Sequence, residues 1–393
     1  MSERDVVITG IGLASSLGEG VDAHWQALNE PSSALRTDRD RYAPYTIHPL
    51  VEIDWSQQIP KRGDLRQMEN WQRLGTYTAG LALDDAGMKG DEALCSTMDM
   101  IVAAAGGERD EAVDLSIMDA ALSRNDYGLL LNEKLTTELR PTLFLAQLSN
   151  LMAGNISIVH KVTGSSRTFM GEEGSGVSAV STAAARIRSG QSSHVLVGGA
   201  FHTEHTDMLL GYELARYLHR GDYCSVWERE GQPGGGIVSG SGAAFLVLES
   251  REHAHRRGAK IYATLASVEG ARSARGNAQL SDKLAALFAK VAGDLKPDAV
   301  ISGASGAHEA TAAEAKVLKA IDAPFRGFST LTGHLKEAQF PFAVALAALS
   351  LSNGKAYPAL SAAEATAEKS PNAILATAVG YHRYEGAALV TVA

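Results

Sequence analysis

The chain has 393 residues, of which 45% are hydrophobic and 21% are charged, and its formal net charge is −9. This length exceeds the roughly 250–300 residues at which one hydrophobic core usually stops growing, so we expect two packed units. Two cysteines are too few for a disulfide framework or a multi-cysteine metal cluster, and the acidic balance without a basic stripe argues against nucleic-acid binding.

The first 30 residues indicate a strand followed by a helix. Residues 5–12 form an apolar run that ends in glycine, and residues 18–29 show the spacing of an amphipathic helix. Positions 3–5 are charged and precede only a short apolar strand, so we expect no signal peptide and a cytoplasmic location. The longest apolar stretch, residues 341–351, is too short for a bilayer span, and we predict none.

Buried strands and helices alternate along the rest of the chain. Residues 31–66 are polar and irregular, which predicts a surface loop. Further helices are predicted at residues 71–87, 110–122, 141–151, 177–189, 249–258, 309–320 and 340–351. Further strands are predicted at residues 98–105, 194–199, 243–248, 261–265, 298–303, 373–377 and 387–392. Continuous apolar strands between helices indicate an α/β fold with covered sheets, in two units, residues 1–250 and 251–393.

Two glycine-rich stretches mark turns in the middle of the chain. Residues 171–176 predict a tight turn before the helix at 177–189, which Gly190 ends. Residues 234–242 include five glycines, but no Lys-Ser or Lys-Thr pair follows them. We therefore interpret these glycines as positions of close backbone packing and not as a phosphate-binding loop.

Six groups of residues, in a fixed order along the chain, carry a family resemblance. They are Val7–Gly12 with Leu17, Gly18 and Trp25; Asn150–Gly154 with Ile156–Ile158; Gly198–Ala200; Ser239–Glu249; His253–Ala263; and Thr332–Leu335. Together they resemble the β-ketoacyl-ACP synthase (ketosynthase) family of the thiolase fold. The resemblance runs nearly end to end and implies a duplicated thiolase fold in five layers, α-β-α-β-α.

The resemblance also shows that the family's catalytic positions are altered here. The family forms an acyl thioester on a cysteine at a strand-to-helix turn, and Glu173 stands at that position. Ser305 replaces the first histidine and Ser329 replaces a lysine, whereas His334 keeps the second histidine. The glycine-rich turn near the C-terminus is replaced by residues 380–384. Four departures at one site imply a degenerate site that carries no catalytic residue.

Neither cysteine is placed to restore the lost nucleophile. Cys95 precedes an early strand, and Cys224 lies in a loop ahead of Trp227. A carboxylate such as Glu173 is a much poorer acyl-transfer nucleophile than a thiolate. The presence of Glu173 can be explained without catalysis, because a carboxylate at a helix N-terminus is stabilised by about 0.3–1 kcal/mol.

The sequence Gly171-Glu172-Glu173 is similar to a turn in the chain-length factors. These are the non-catalytic partners of the ketosynthases in type II polyketide synthases. The resemblance implies a heterodimer with a catalytic ketosynthase, an acyl carrier protein as a further partner, and a growing polyketide in a tunnel that this chain helps to line. It favours the aryl-polyene type. Val113, Ile117 and Met118, in the helix at 110–122, are candidates for the tunnel or the interface.

Three alternatives remain open at this point. The first is a malonyl-ACP decarboxylase that uses Glu173 and His334, and the second is a homodimeric acyl-binding module. The third is an enzyme in which Cys224 acts as a displaced nucleophile.

A pair of histidines raises the question of a metal site. His202 and His205 have a His-x-x-His spacing. A metal site also needs a third ligand and supporting hydrogen bonds, and neither is visible in the sequence. We therefore predict no metal and no cofactor.

Overall fold

The computed structural model describes residues 4–276 and 279–393. Its strands are β1 (Val6–Ser15), β2 (Gly18–Glu19), β3 (Ile47–His48), β4 (Asp99–Ala103), β5 (Ser166–Phe169), β6 (His194–Phe201), β7 (Ser239–Gly240), β8 (Gly242–Ser250), β9 (Ala263–Ala271), β10 (Ala299–Ser302), β11 (Phe325–Gly327), β12 (Ala373–Val379) and β13 (Glu385–Thr391).

Its α-helices are α1 (Gly20–Asn29), α2 (Pro31–Ala34), α3 (Arg62–Gln67), α4 (Asn70–Asp85), α5 (Glu92–Thr97), α6 (Glu111–Ala121), α7 (Tyr127–Thr137), α8 (Leu143–Ala146), α9 (Leu151–His160), α10 (Glu173–Arg188), α11 (Thr206–Glu213), α12 (Arg251–Arg256), α13 (Leu280–Ala292), α14 (His308–Ile321), α15 (Ser329–Thr332) and α16 (Gln339–Ser352). Among these helices, none has the combination of length and apolar character that crossing a membrane requires.

The long strands form two halves with the same topology. The first half has the order β5-β4-β6-β8-β1 and the second the order β11-β10-β12-β13-β9. In each half the first three strands of this order are parallel and the last two pairings are antiparallel. The halves join where β1 pairs with β9. Since β8 ends at Ser250, we propose that the predicted boundary between residues 1–250 and 251–393 lies there.

Helices cover both halves and fill the space between them. On the outer side of the first half, α4 packs on β1, β6 and β8, and α9 packs on α4. Between the halves, α10 contacts β4 and β6 on one side and β9 and β13 on the other. Beside α10 lies α16, which is buried on every face from Gln339 to Leu351 and is largely apolar, as a helix in this position must be. On the far side, α13 and α14 pack on the second half. These are the five predicted layers.

The structure corrects several predicted elements. The segment 31–66 holds α2, β3 and the start of α3, where an irregular loop was predicted. The helix predicted at 141–151 is only the single turn of α8, and α9 begins at Leu151. The predicted turn at 171–176 is partly helical, because α10 begins at Glu173. No prediction covered α7, α9 or α13, although α13 buries its apolar side chains at helical spacing.

Close packing explains two of the glycines. A Cβ on Gly236 would lie 2.1 Å from the carbonyl oxygen of Gly306, which agrees with the predicted role of the stretch at 234–242. A Cβ on Gly12, in β1, would lie 2.1 Å from the carbonyl oxygen of Thr78, in α4. The absence of a side chain at Gly12 therefore lets α4 lie directly on the strand.

We predict that Gly12→Ala lowers the free energy of unfolding by about 1–3 kcal/mol, because α4 must move away from β1 to admit the new methyl group. Gly63→Ala is the matched control, since a Cβ at Gly63, within α3, meets open space. Urea unfolding followed by circular dichroism compares the two variants. A Gly12→Ala chain as stable as the control would contradict this packing.

Candidate functional site

The fold brings Glu173 and His334 into direct contact. Glu173 is the first residue of α10, and His334 follows the turn that ends α15. Nε2 of His334 lies 2.6 Å from Oε1 of Glu173. Glu173 is 1% exposed and His334 is fully buried. Two of the four residues that the family resemblance singled out therefore form one buried pair.

Two tyrosines add hydrogen bonds to this pair. The hydroxyl of Tyr212, in α11, lies 2.8 Å from Nδ1 of His334. The backbone N–H of Tyr381 donates to Oε1 of Glu173 at 3.3 Å, and its hydroxyl donates to Oε1 of Glu172 at 2.8 Å. Both ring nitrogens of His334 are thus engaged, which fixes the orientation of the imidazole.

Burial and pairing set the charge of Glu173. Burial alone would raise the pKa of its carboxyl, but the attraction of His334 and the hydrogen bonds from His334 and Tyr381 outweigh it. The pKa of Glu173 therefore lies below its ordinary value. Burial raises the pKa of Tyr212 well above its usual range, so this phenol stays neutral.

A further carboxyl, that of Glu337, lies near the pair. Burial is the main cause that raises the pKa of Glu337 from 4.5 to about 7, and the charges of Glu172 and Glu173 act in the same direction. Oε2 of Glu337 and Oε2 of Glu173 find no hydrogen-bond partner among the described residues. The site thus holds more carboxyl oxygens than it has hydrogen-bond donors for them.

Aromatic rings close the site. The ring of Tyr381 lies 5.6 Å from that of His334, 5.4 Å from Tyr212 and 4.8 Å from Tyr217, measured between centroids. Nζ of Lys336 lies 4.4 Å from the ring centroid of Tyr212. These rings pack around a pair that is buried, so a substrate would reach Glu173 only if side chains around the pair moved.

The two serines at altered family positions are not part of this network. Oγ of Ser305 accepts from the N–H of Ala307 at 3.3 Å, and Oγ of Ser329 accepts from Nε2 of Gln339 at 2.8 Å. Within the described ranges, neither serine hydrogen-bonds to Glu173 or His334. Their assignment to the lost histidine and lysine stays a prediction.

The cysteines also lie apart from the pair. Burial raises the pKa of the Cys95 thiol and of the Cys224 thiol. A nucleophilic thiol needs the opposite shift, because the thiolate is the reactive form. This argues against Cys224 as a displaced nucleophile.

A basic groove lies outside the aromatic wall. Its volume is about 560 Å³, and its lining includes Arg272, Arg275, Arg383 and His382, together with Tyr217. Arg275 donates to the carbonyl oxygen of Gly380 and pairs with Glu385 at 3.2 Å. The turn at 380–384 therefore separates this groove from the buried pair.

Sequence reasoning missed Tyr212, Lys336 and Glu337. Tyr212 lies 122 positions before His334, and no motif marks it. Lys336 and Glu337 directly follow the histidine motif. Two charged residues next to the expected site could have marked them as part of it.

Comparison with known proteins identifies the family. Residues 3–254 match the family model described as "Beta-ketoacyl synthase, N-terminal domain". The chain therefore belongs to the β-ketoacyl synthase family, as the sequence motifs predicted.

One curated relative is a 3-oxoacyl-[acyl-carrier-protein] synthase 2 of Vibrio harveyi, which is 29% identical over 271 residues. The alignment covers 67% of this chain and 62% of that relative.

Two solved structures share the whole fold. One, titled the ishigamide ketosynthase/chain length factor, has a TM-score of 0.79 at 18% identity and is covered completely, as is this chain. The other is a type II polyketide acyl carrier protein in complex with its ketosynthase bound to a hexaketide, with a TM-score of 0.74 at 20% identity and 99% coverage of each chain. The predicted thiolase fold is confirmed.

We predict that Tyr212→Phe lowers the free energy of unfolding by about 1–3 kcal/mol, because Nδ1 of His334 is left buried without its partner. Tyr357→Phe is the matched control: Tyr357 is also fully buried, but its hydroxyl has no partner in the described part of the chain. Chemical denaturation measures both variants. Equal losses, or no loss for Tyr212→Phe, would contradict the assigned network.

We also predict a pH-dependent gain from Glu337→Gln. Folding raises the pKa of Glu337, so the folded chain holds this proton longer than the unfolded chain does and loses stability as the pH rises from 4.5 to about 7. The free energy of unfolding of the variant, relative to that of the wild-type chain, should rise by roughly 2–4 kcal/mol between pH 4.5 and pH 8. Unfolding curves across this range test it, with the exposed Glu230→Gln as control. A difference that does not change with pH would refute the assignment.

Proposed function

We propose that this chain is a non-catalytic, chain-length-factor-like subunit of a heterodimeric ketosynthase in type II polyketide biosynthesis. The observation that carries the proposal is the buried Glu173–His334 pair at the turn where the family has its cysteine. With a carboxylate there, the chain has no thiolate that could hold an acyl group.

The closure of the site supports the same conclusion. Catalysis requires the reacting carbonyl to come within about 3–3.5 Å of the attacking atom. Here the side chain of Tyr212 hydrogen-bonds to His334, the backbone N–H of Tyr381 donates to Glu173, and the ring of Tyr381 packs against His334. The acyl group is therefore held by the partner's cysteine, and this chain contributes shape.

Exposed apolar side chains supply a surface for that partner. Among the described residues, 12 of the 18 exposed large hydrophobic side chains fall between Leu115 and Met170. The same segment includes β5, which ends the first half of the sheet and leaves one edge unpaired. Monomeric proteins rarely expose so much apolar surface, and an open strand edge invites pairing.

The candidate residues in α6 differ in exposure. Val113 is buried, Ile117 is half-buried and Met118 is 66% exposed. We therefore propose that Met118 faces the partner or the acyl chain, whereas Val113 packs inside this subunit.

The basic groove supports an acyl carrier protein as a further partner. Arg272 and Arg383 give it a positive face in a chain whose net charge is −9. Such a face suits an anionic, phosphate-bearing partner, which local charge would steer. The aryl-polyene type is the narrower proposal, and product analysis of the reconstituted pair tests it.

A decarboxylase is the second candidate. One observation favours it: Oε2 of Glu173 has no hydrogen-bond partner among the described residues and is free to accept a proton or a substrate hydrogen bond. The tyrosine wall argues against it, since malonyl groups would have to displace Tyr381.

We predict that the chain, co-expressed with a ketosynthase that retains its cysteine and both histidines, forms a mixed dimer. Met118→Glu should weaken this dimer at least about tenfold, because a charge is buried in an apolar contact. Leu295→Glu is the matched control, as Leu295 is 53% exposed but lies outside the segment 115–170. Analytical ultracentrifugation measures both. A persistent homodimer without a mixed species would favour the acyl-binding module.

A further inference from the structure

Three metal-binding side chains meet where α6 and α11 begin. Nδ1 of His205 lies 3.2 Å from Oε1 of Glu111 and is hydrogen-bonded to Oδ1 of Asp207. The three atoms all lie within 4.8 Å of one another. Glu111 comes from the first turn of α6 and Asp207 from the first turn of α11.

Backbone donors hold both carboxylates in place. The N–H of Thr206 donates to Oε1 of Glu111 at 2.8 Å, and the N–H of Arg109 donates to Oδ2 of Asp207 at 3.0 Å. Hydrogen bonds of this kind orient metal ligands in known sites. The backbone bond uses Oδ2 of Asp207, whereas Oδ1 contacts Nδ1 of His205, and a bound ion would replace the proton that these two atoms share.

A second, independent observation lies three residues earlier on the same two segments. Oε1 of Glu108 and Nδ1 of His202 lie 3.3 Å apart, and neither atom has a hydrogen-bond partner among the described residues. Their side chains are 5% and 9% exposed. The two atoms face each other at ion-pair distance without making a hydrogen bond, and a water held by a cation nearby would give both a hydrogen-bond partner.

We propose that Glu111, His205 and Asp207 bind a divalent transition-metal ion of the Zn²⁺ class. One imidazole and two carboxylates are a mixed nitrogen and oxygen set, which suits Zn²⁺ or Mn²⁺ better than Mg²⁺ or Ca²⁺. Three protein ligands leave a coordination position for water. The third ligand, which the histidine spacing alone did not provide, comes from α6.

The bound ion would connect two functional regions. It joins the first turn of α6, the helix that carries Met118, to α11. The same short α11 carries Tyr212, whose hydroxyl bonds to His334. The ion would therefore fix the exposed helix relative to the buried pair, and it takes no part in acyl chemistry.

The experiment is a calorimetric titration of the chelator-treated full-length chain with Zn²⁺. We expect one bound ion per chain, and binding at least about tenfold weaker in Asp207→Asn and in His205→Gln, because outer-shell changes alone cost 10–100-fold. His255→Gln, an exposed histidine in α12, is the matched control and should bind like the wild-type chain. No binding, or equal affinity in Asp207→Asn and the wild-type chain, would overturn the proposal.

A spectroscopic measurement on the wild-type chain guards against misfolded variants. Co²⁺ bound to this set should give a visible absorption band that one equivalent of Zn²⁺ removes. A chain without such a band would show that His205 only bridges the two carboxylates as a hydrogen-bond donor.

Discussion

The hydrogen bond between Glu173 and His334 is the interaction on which the central site depends. A carboxylate that is 1% exposed is tolerable only with a donor in contact, and His334 is that donor. The N-terminus of α10 adds a favourable field at Glu173. Removing either partner would leave the other buried with only one hydrogen bond, from Tyr212 or from Tyr381, and breaking a buried pair in this way typically costs several kcal/mol. The pair therefore stabilises the junction between the two halves of the fold at the place where relatives are expected to carry out chemistry.

The surroundings of this pair account for the rest of the proposal. Tyr212 and Tyr381 both hydrogen-bond to the pair and pack their rings against His334, so the groups that stabilise the site also cover it. Because the site is closed, we expect this chain to act through its outer surface. In the proposed function, partners would bind at the exposed apolar segment between Leu115 and Met170 and at the basic groove at Arg272.

Much of the fold was predictable, because buried strands appear in the sequence as continuous apolar runs and helices appear as periodic apolar patterns. β1, β6, β12 and α16 lie close to their predicted ranges for this reason. The start of α10 was misplaced, since glycines at 171–176 resemble a turn. In the site, motif position sufficed to name Glu173 and His334. Tyr212 and Glu111 were out of reach, because their roles depend on contacts between segments about 95 to 122 residues apart that only the folded chain creates.

The most direct test measures carbon dioxide release when the chain alone is incubated with malonyl-ACP. The account predicts no release above that of a Glu173→Ala variant, because the buried pair is closed to the malonyl group. Release by the wild-type chain that Glu173→Ala abolishes would contradict it and make Glu173 a working catalytic residue.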